Sequence, residues 1–321
     1  MNNKIKLVGA GQIGSRYLQG LANYKNYLDI EVFDINQNSL NIAKKRFLEI
    51  NSNKNNHKIQ FKTKNLNFEN YYDLIIISTS SKNRSKIIAE YKNKSKVKFW
   101  LIEKILEQSS EDVKKILSCL DNKEKNIAWV NTPRRAMKFY SDLKQKIGTE
   151  IPKRINLHGG LWGMACNSIH FIDLVEWLTD QHLISVDTTN IDKKWVETKR
   201  PGYFEVTGET SLRFSKGTEL LLQSDPIHNN YLINIEISED NSWEINEHEG
   251  YMRHSSGELI FGKLSKISEI STKIIQNILK NETCDLTNLR DSCRQHSIIL
   301  NSFLDHWNKY NNKKDKKVPI T

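Results

Sequence analysis

A short apolar strand running straight into a glycine-spaced turn constrains this chain more than any other feature. In Lys4-Ile5-Lys6-Leu7-Val8-Gly9-Ala10-Gly11-Gln12-Ile13-Gly14, the glycines occupy the three positions of G-x-G-x-x-G. Each answers a steric demand. The first permits a tight turn, the second lets backbone approach a pyrophosphate, and the third lets a helix pack on the strand. Ser15 to Asn23 reads as that helix, with its N–H groups and positive dipole end facing the phosphates. Ile30-Glu31-Val32-Phe33 reads as a second strand, and Asp34 closes it twenty residues after Gly14. A carboxylate there accepts the adenosine ribose hydroxyls and repels a 2′-phosphate. Ile35 and Asn36 follow, without a neighbouring arginine. The pattern predicts NAD rather than NADP, held by Gly9, Gly11, Gln12, Ile13, Gly14 and Asp34.

The next hundred residues repeat the same alternation. A helix near Ser39 to Leu48, a strand at Ile59-Gln60-Phe61 and a continuous apolar strand over Tyr72 to Ile77 come first. A run apolar throughout is what a parallel strand covered on both faces requires. Lys82 to Tyr91 reads as helix, Phe99 to Ile102 as strand, Glu111 to Leu120 as helix and Ile127 to Val130 as strand. Alternating βα units predict a doubly wound parallel sheet, whose ligands bind beyond the carboxyl ends of its strands. The texture then changes. Between Gly202 and Lys263, short alternating runs (Leu212 to Phe214, Glu219 to Gln223, Tyr231 to Ile237, Leu259 to Phe261) are broken by turn residues. That spacing predicts a mostly antiparallel sheet. Helical periodicity marks Ser168 to Leu178, Ser268 to Lys280 and Thr287 to Tyr310. The expected organisation is an α/β chain with a Rossmann domain over 1–130 and an α+β domain over 131–321. The last helix is free to pack back on the first domain.

Composition narrows the class. A chain of 321 residues is long enough for two domains with separate cores. No apolar run reaches the length of a membrane span, and residues 5–10 read as a strand rather than a leader. The four cysteines show no C-x-x-C pair and no metal-ligand spacing. The expectation is a reduced, cytoplasmic protein without disulfide or metal, and without a membrane partner. The formal charge of +10 comes from lysine scattered with asparagine along the whole length. No nucleic-acid recognition element accompanies it, so nucleic acid is not the expected partner. A positive field still concentrates small anions such as phosphorylated sugars. The basic tail Lys313 to Lys317 is expected to be mobile.

The order G-x-G-x-x-G, then Glu103-Lys104 at a strand end, then Asn131-Thr132-Pro133-Arg134-Arg135, then Gly159-Gly160 followed by His170-Phe171-Ile172-Asp173 resembles the glucose–fructose oxidoreductase / inositol dehydrogenase / rhizopine catabolism (Gfo/Idh/MocA) family. The resemblance covers most of the chain and is strongest over 5–180. It implies a dinucleotide-binding domain joined to an open-sheet domain that often forms an oligomer interface, hence a homo-oligomer, dimer or tetramer. It also implies an NAD- or NADP-dependent oxidoreductase acting on a sugar, inositol, sugar phosphate or nucleotide sugar. Stretches similar to Gly159 to Asp173 are also associated with surface-polysaccharide and nonulosonate synthesis.

Residue by residue, the resemblance makes Lys104 the catalytic lysine and Glu103 its cofactor-side neighbour, although Ile105 stands where the family has proline. An ammonium there can hold developing alkoxide charge. His170 matches the family histidine, a group whose ordinary pKa suits it to accept a hydroxyl proton. Asp173 lies one helical turn on, and Cys166 occupies the position four before His170 where the family has aspartate. A thiol does not anchor a sugar hydroxyl as a carboxylate does, so Asn167 and Ser168 are candidates for the missing polar contacts. Ser78 and Thr79 fall where the family places a turn beside the cofactor ribose, and simple helix capping is the alternative. Asn131 and Arg135 fall at the substrate edge. Arg135 is read either as a phosphate ligand through paired donors or as an interdomain ion pair. Trp162 is read either as a sugar-stacking ring or as a core aromatic. Two other functions stay open: an inactive dinucleotide-binding scaffold or sensor, and an imine- or biliverdin-type reductase on the same fold.

Overall fold

The computed structural model describes residues 3–50, 57–63, 68–121, 127–228 and 230–321. Its first half opens with β1 (Asn3–Val8), α1 (Gln12–Ala22), β2 (Leu28–Phe33), α2 (Gln37–Ile50) and β3 (Lys58–Lys62). It continues through β4 (Tyr71–Ile77), α3 (Arg84–Lys94), β5 (Lys96–Ile102), α4 (Ser110–Leu120) and β6 (Ala128–Val130). These six strands are parallel in the order β6-β5-β4-β1-β2-β3. The order reverses between β1 and β4, the position at whose carboxyl ends sheets of this kind bind ligands. Leu74, Ile75, Ile76 and Ile77 of β4 are all fully buried. Covering an aliphatic side chain this way stabilises the fold by about 1.5–3 kcal/mol each. One pair breaks the apolar rule. Lys6 of β1 and Glu31 of β2 are register neighbours, both buried, and the ammonium donates to the carboxylate.

The remainder comprises α5 (Lys138–Ile147), β7 (Arg154–His158), α6 (Met164–Thr179), β8 (Leu183–Asp187), β9 (Val196–Glu197), β10 (Phe204–Glu205), β11 (Gly208–Phe214) and β12 (Glu219–Ser224). After these come β13 (Leu232–Ser238), β14 (Asn241–Asn246), β15 (Tyr251–His254), β16 (Leu259–Phe261), α7 (Ile267–Asn281), β17 (Thr287–Asn288) and α8 (Leu289–Asn311). Eight strands form the second sheet in the order β16-β15-β14-β13-β7-β12-β11-β8. Every pairing is antiparallel except β7 with β12. Alternating burial along β11, β12 and β13 turns one face of this sheet toward α6, which packs on β12. The expected fold class is the observed one: a Rossmann sheet and a mostly antiparallel α+β sheet.

The chain divides into two compact units, one of Met1–Glu107, Asp112–Asn131 and Ser265–Cys293, the other of Gln108–Glu111, Thr132–Leu264 and Arg294–Thr321. Residues 265–293, placed by the sequence in the second domain, therefore cluster with the first. The local cause is Gly20 on α1. A Cβ there would sit 2.1 Å from Ser271 Oγ of α7, and Thr272 Oγ1 donates to Gly20 O at 2.9 Å. Thr287 and Asn288, read as the start of the last helix, instead pair antiparallel with Val130 and Trp129.

The tail also departs from expectation. Trp307 Nε1 donates to Asp315 Oδ2 at 2.8 Å, and Val318 N donates to Gln108 O at 2.9 Å. Val318 and Ile320 are buried. Apolar residues beyond the lysines anchor a segment whose charge alone suggested mobility.

Candidate functional site

In the first unit the glycine turn is built by steric exclusion. Gly9 has φ +96°, and a Cβ there would lie 2.7 Å from Thr79 N at the end of β4. A Cβ on Gly14 would lie 1.9 Å from Gly9 O. These two glycines let β1, β4 and α1 converge. Gly11 differs: nothing lies within 4 Å of the Cβ it lacks. The middle glycine keeps its side open while its neighbours are filled by protein, as close approach of a pyrophosphate requires.

Asp34 shapes the other wall. Its Oδ2 accepts from Ala10 N at 2.6 Å, and its Oδ1 accepts from Asn36 N at 2.8 Å. The carboxylate is thereby fixed against the turn. Ile13 and Ile35 are exposed, Ile35 at 86 %. Ser78 acts from beneath. Its Oγ donates to Gly9 O at 2.7 Å, and its amide donates to Val8 O at 2.8 Å. Thr79 contributes its carbonyl to a guanidinium described below, while its hydroxyl donates to Ser80 O at 3.2 Å.

Lys104 lies half-buried just past β5, on the same carboxyl edge of the sheet. The Lys104–Ile105 peptide is cis. Arg84, at the start of α3 and 2 % exposed, donates to the carbonyls of Thr79, Glu103 and Ile105. One planar fork of donors thus ties the ends of β4 and β5 together around Lys104. Glu103 is buried. Its Oε1 accepts from Tyr17 Oη and from Asn131 Nδ2, each at 2.6 Å. Burial, reinforced by Glu103, pushes the Tyr17 hydroxyl well above its usual pKa, so it remains a neutral donor. Asn131, expected at the substrate edge, is 3 % exposed and turned inward by the same contact.

The second unit holds the remaining predicted residues, most of them on α6. Cys166, Asn167 and His170 are half-buried, whereas Asp173 and Ser168 are buried. Ser168 Oγ donates back to Met164 O at 2.5 Å within the helix. Asn167 Nδ2 donates to Trp162 O at 2.6 Å. Glu205 of β10 crosses to the start of α6, where its carboxylate accepts from Ala165 N at 2.7 Å and Cys166 N at 3.1 Å. A carboxylate at this end also favours the helix dipole. Arg135 Nη1 lies 3.4 Å from Asp173 Oδ1, an ion pair inside the second unit. Of the two readings of Arg135, an ion pair is present, and its partner Asp173 lies within the same unit. Asp173 is correspondingly an internal partner.

Trp162 is half-buried. Its Nε1 donates to Gln223 O at 2.9 Å, and its ring packs edge-on against Phe171 and Tyr231 at 5.4 and 6.4 Å. It also lines an open concavity of about 340 Å³ with Leu161, Tyr231, Glu247 and His248. Beneath it, Arg134 forms a two-pronged pair with Glu247 at 2.7 and 2.8 Å. Tyr140 and Tyr231 hydroxyls donate to the same carboxylate. Burial alone would raise the Glu247 pKa, but Arg134 and the hydroxyls outweigh it and hold the carboxyl below its usual value.

Glu205, Glu247 and Arg46 of α2 carry no signal of their own in the sequence. Each works through a partner distant in the chain. The first half of Arg134-Arg135 was the only local signal for the Glu247 pair. Among the described residues, no group of three or more His, Cys, Asp or Glu is placed to hold a metal ion, and no helix is long and apolar enough to cross a membrane.

No family model and no curated protein sequence matches the chain. Solved structures do. Myo-inositol dehydrogenase from Lactobacillus casei, solved with NAD(H) and myo-inositol, superposes with a TM-score of 0.67 at 17 % identity, covering 98 % of this chain and 96 % of that one. UDP-N-acetylglucosamine 3-dehydrogenase from Acidithiobacillus ferrooxidans gives 0.72 at 13 % identity, covering 97 % and 99 %. An oxidoreductase from Agrobacterium radiobacter, solved with NAD+, L-tartaric acid and magnesium, gives 0.69 at 13 % identity, covering 96 % and 97 %. At these identities the likeness is one of fold. The chain has the two-part fold of these dehydrogenases, the fold that its resemblance to the Gfo/Idh/MocA family implies.

Proposed function

We propose that the protein is an NAD-dependent oxidoreductase that moves a hydride between the cofactor and a secondary alcohol or ketone of a sugar, sugar phosphate or nucleotide sugar. One observation carries the reading: an open glycine turn backed by Asp34 and a lysine held by Arg84 share the carboxyl edge of one parallel sheet. The residues fit a dinucleotide. Gly11 leaves room for phosphates, the α1 N–H groups face them, and Asp34 presents a carboxylate suited to ribose hydroxyls. A 2′-phosphate would bring a second negative group to Asp34, which favours NAD over NADP. The names of the fold neighbours, an inositol dehydrogenase and a UDP-N-acetylglucosamine dehydrogenase, support a polyol-type substrate.

When bound, the nicotinamide supplies the hydride acceptor or donor. The protein's own residues do the rest. Lys104 stabilises the reacting oxygen as it gains negative charge, a contribution that grows only toward the transition state. His170 takes the hydroxyl proton during oxidation and returns it during reduction. The polar groups at the start of α6, Asn167 and Cys166, are the proposed neighbours of the substrate, with Trp162 offering a ring edge beside them.

The test is turnover. With NAD, a panel of inositols, pyranoses, sugar phosphates and UDP-sugars should contain a substrate that yields NADH. Lys104→Ala should lower kcat by about 10²–10³, as losing one stabiliser of a developing oxyanion does. NADH affinity should be unchanged. Full activity in Lys104→Ala would overturn the proposed role, and a protein that binds NADH without oxidising any member would favour the scaffold reading.

A further inference from the structure

Arg46 stands twelve residues past Asp34 on α2, outside the glycine motif. The fold nevertheless brings it to the mouth of that motif. Its Nη1 donates to Gln12 Oε1 at 2.8 Å and to Ser15 Oγ at 2.5 Å. Ser15 Oγ in turn donates to Gln12 O at 3.0 Å. Guanidinium, hydroxyl and the first residue of α1 therefore form a closed ring at the helix start, where Gly11 is the N-cap and nothing lies within 4 Å of the Cβ it lacks.

Two physical points make this ring more than surface decoration. A guanidinium carries donors and no acceptor, so the end of the Gln12 amide that meets Arg46 is its oxygen. The orientation of an amide is ordinarily ambiguous, and here a donor-only partner fixes it. The NH₂ end of Gln12 is consequently directed away from Arg46. Second, a cation placed against a helix N-terminus opposes the helix dipole. The first turn of α1 carries no acidic residue to offset it. Positive groups gathered at one point are favourable once an anion lies between them.

We infer that Arg46 is a positioning residue for the cofactor's pyrophosphate: it holds the Gln12 amide with its N–H donors presented to the phosphate oxygens. The inference rests on the dinucleotide reading given above and adds a residue and a hydrogen-bond polarity to it. It also separates two kinds of selectivity at this site. Asp34 distinguishes the ribose end of NAD from that of NADP. Arg46 and Gln12 recognise the diphosphate that both nucleotides share.

The experiment is a set of titrations on the full chain, reading NADH fluorescence directly and ADP or adenosine by displacement. Arg46→Ala should weaken NADH, NADPH and ADP by the same factor, roughly tenfold, as expected for a hydrogen bond to a charged group. Adenosine, lacking phosphate, should bind wild type and variant alike. Gln12→Glu, which replaces the NH₂ by an oxygen, should weaken ADP at least as much. Arg46→Ala should cost less in a Gln12→Ala background than in wild type, since only the guanidinium's charge and not its hold on the amide is then lost. Arg46→Lys should recover part of the affinity, and its melting temperature supplies a control for folding. Equal ADP binding by wild type and Arg46→Ala would overturn the inference while leaving the cofactor reading intact. Loss confined to NADPH would overturn it by making Arg46 a reader of the 2′-phosphate. Wild-type protein that binds neither NADH nor ADP would overturn the dinucleotide reading and this inference together.

Discussion

Arg84 donates to the backbone carbonyls on both sides of Lys104, so a buried guanidinium fixes the segment carrying the proposed catalytic ammonium. A third donor reaches Thr79 O at the end of the neighbouring strand. Removing the guanidinium strands these carbonyls in a water-poor setting, at about 1–3 kcal/mol for each unsatisfied group. Arg84→Ala should therefore lower unfolding stability by about 3 kcal/mol or more, measured by urea denaturation. Arg84→Lys should rescue only part, because an ammonium lacks the planar fork that serves separated acceptors. A loss below about 1 kcal/mol in Arg84→Ala, within the range of an ordinary hydrogen bond, would show that the carbonyls find other partners.

The Lys6–Glu31 pair offers the opposite sign. Burial lowers the Lys6 pKa despite the adjacent carboxylate, so desolvation of this pair is not fully offset. Replacing both partners by Lys6→Met with Glu31→Leu should leave stability unchanged or raise it by about 1–4 kcal/mol. Glu31→Leu alone should cost about 3–5 kcal/mol by leaving a buried ammonium uncompensated. Thermal and urea melts of the three variants provide the comparison. A double variant less stable than Glu31→Leu would contradict the assignment.

Glu247 should govern part of the acid limb of stability. Its folded carboxyl lies below its usual pKa because Arg134, Tyr140 and Tyr231 favour the charged form more than burial opposes it. A depressed carboxyl contributes stability that is complete above the unfolded pKa, about 4.3, and is lost as pH falls through the folded value. Glu247→Gln should flatten the stability profile below that region and cost about 3–5 kcal/mol near neutrality, where Arg134 is left unpaired. Parallel urea titrations at neutral and acidic pH would contradict this if wild type and variant lost stability equally on acidification.

How much of this was legible before the fold was known depends on the range over which each signal acts. The glycine turn and the strands through Ile102 declare themselves within ten or twenty residues, because parallel strands buried on both faces are continuously apolar. Helix α5 and strands β7, β14 and β15 went unread. The strands are short and mix buried with part-exposed positions, and α5 buries only Phe139, Tyr140, Leu143 and Ile147 among polar residues. The site divides the same way. Gly9, Gly11, Gly14 and Asp34 form a local pattern, and their geometry matches what that pattern demands. Asn131 and Asp173 carry the right chemistry, but their partners Glu103 and Arg135 lie 28 and 38 residues away and turn them inward. Arg46 meets Gln12 across 34 residues, and Arg134 meets Glu247 across 113. Polar pairs of that separation leave no periodicity in a single sequence.

The central claim is that the turn from Gly9 to Gly14, with Asp34 behind it, binds NAD. The most direct measurement is a fluorescence titration of the purified protein with NADH and with NADPH, repeated on Asp34→Ala. Saturable NADH binding is expected, with affinity for NADPH at least roughly tenfold lower and a preference that collapses in Asp34→Ala as the carboxylate's ribose contacts and repulsion disappear. Wild-type protein that binds neither nucleotide, and carries none through purification, would contradict it.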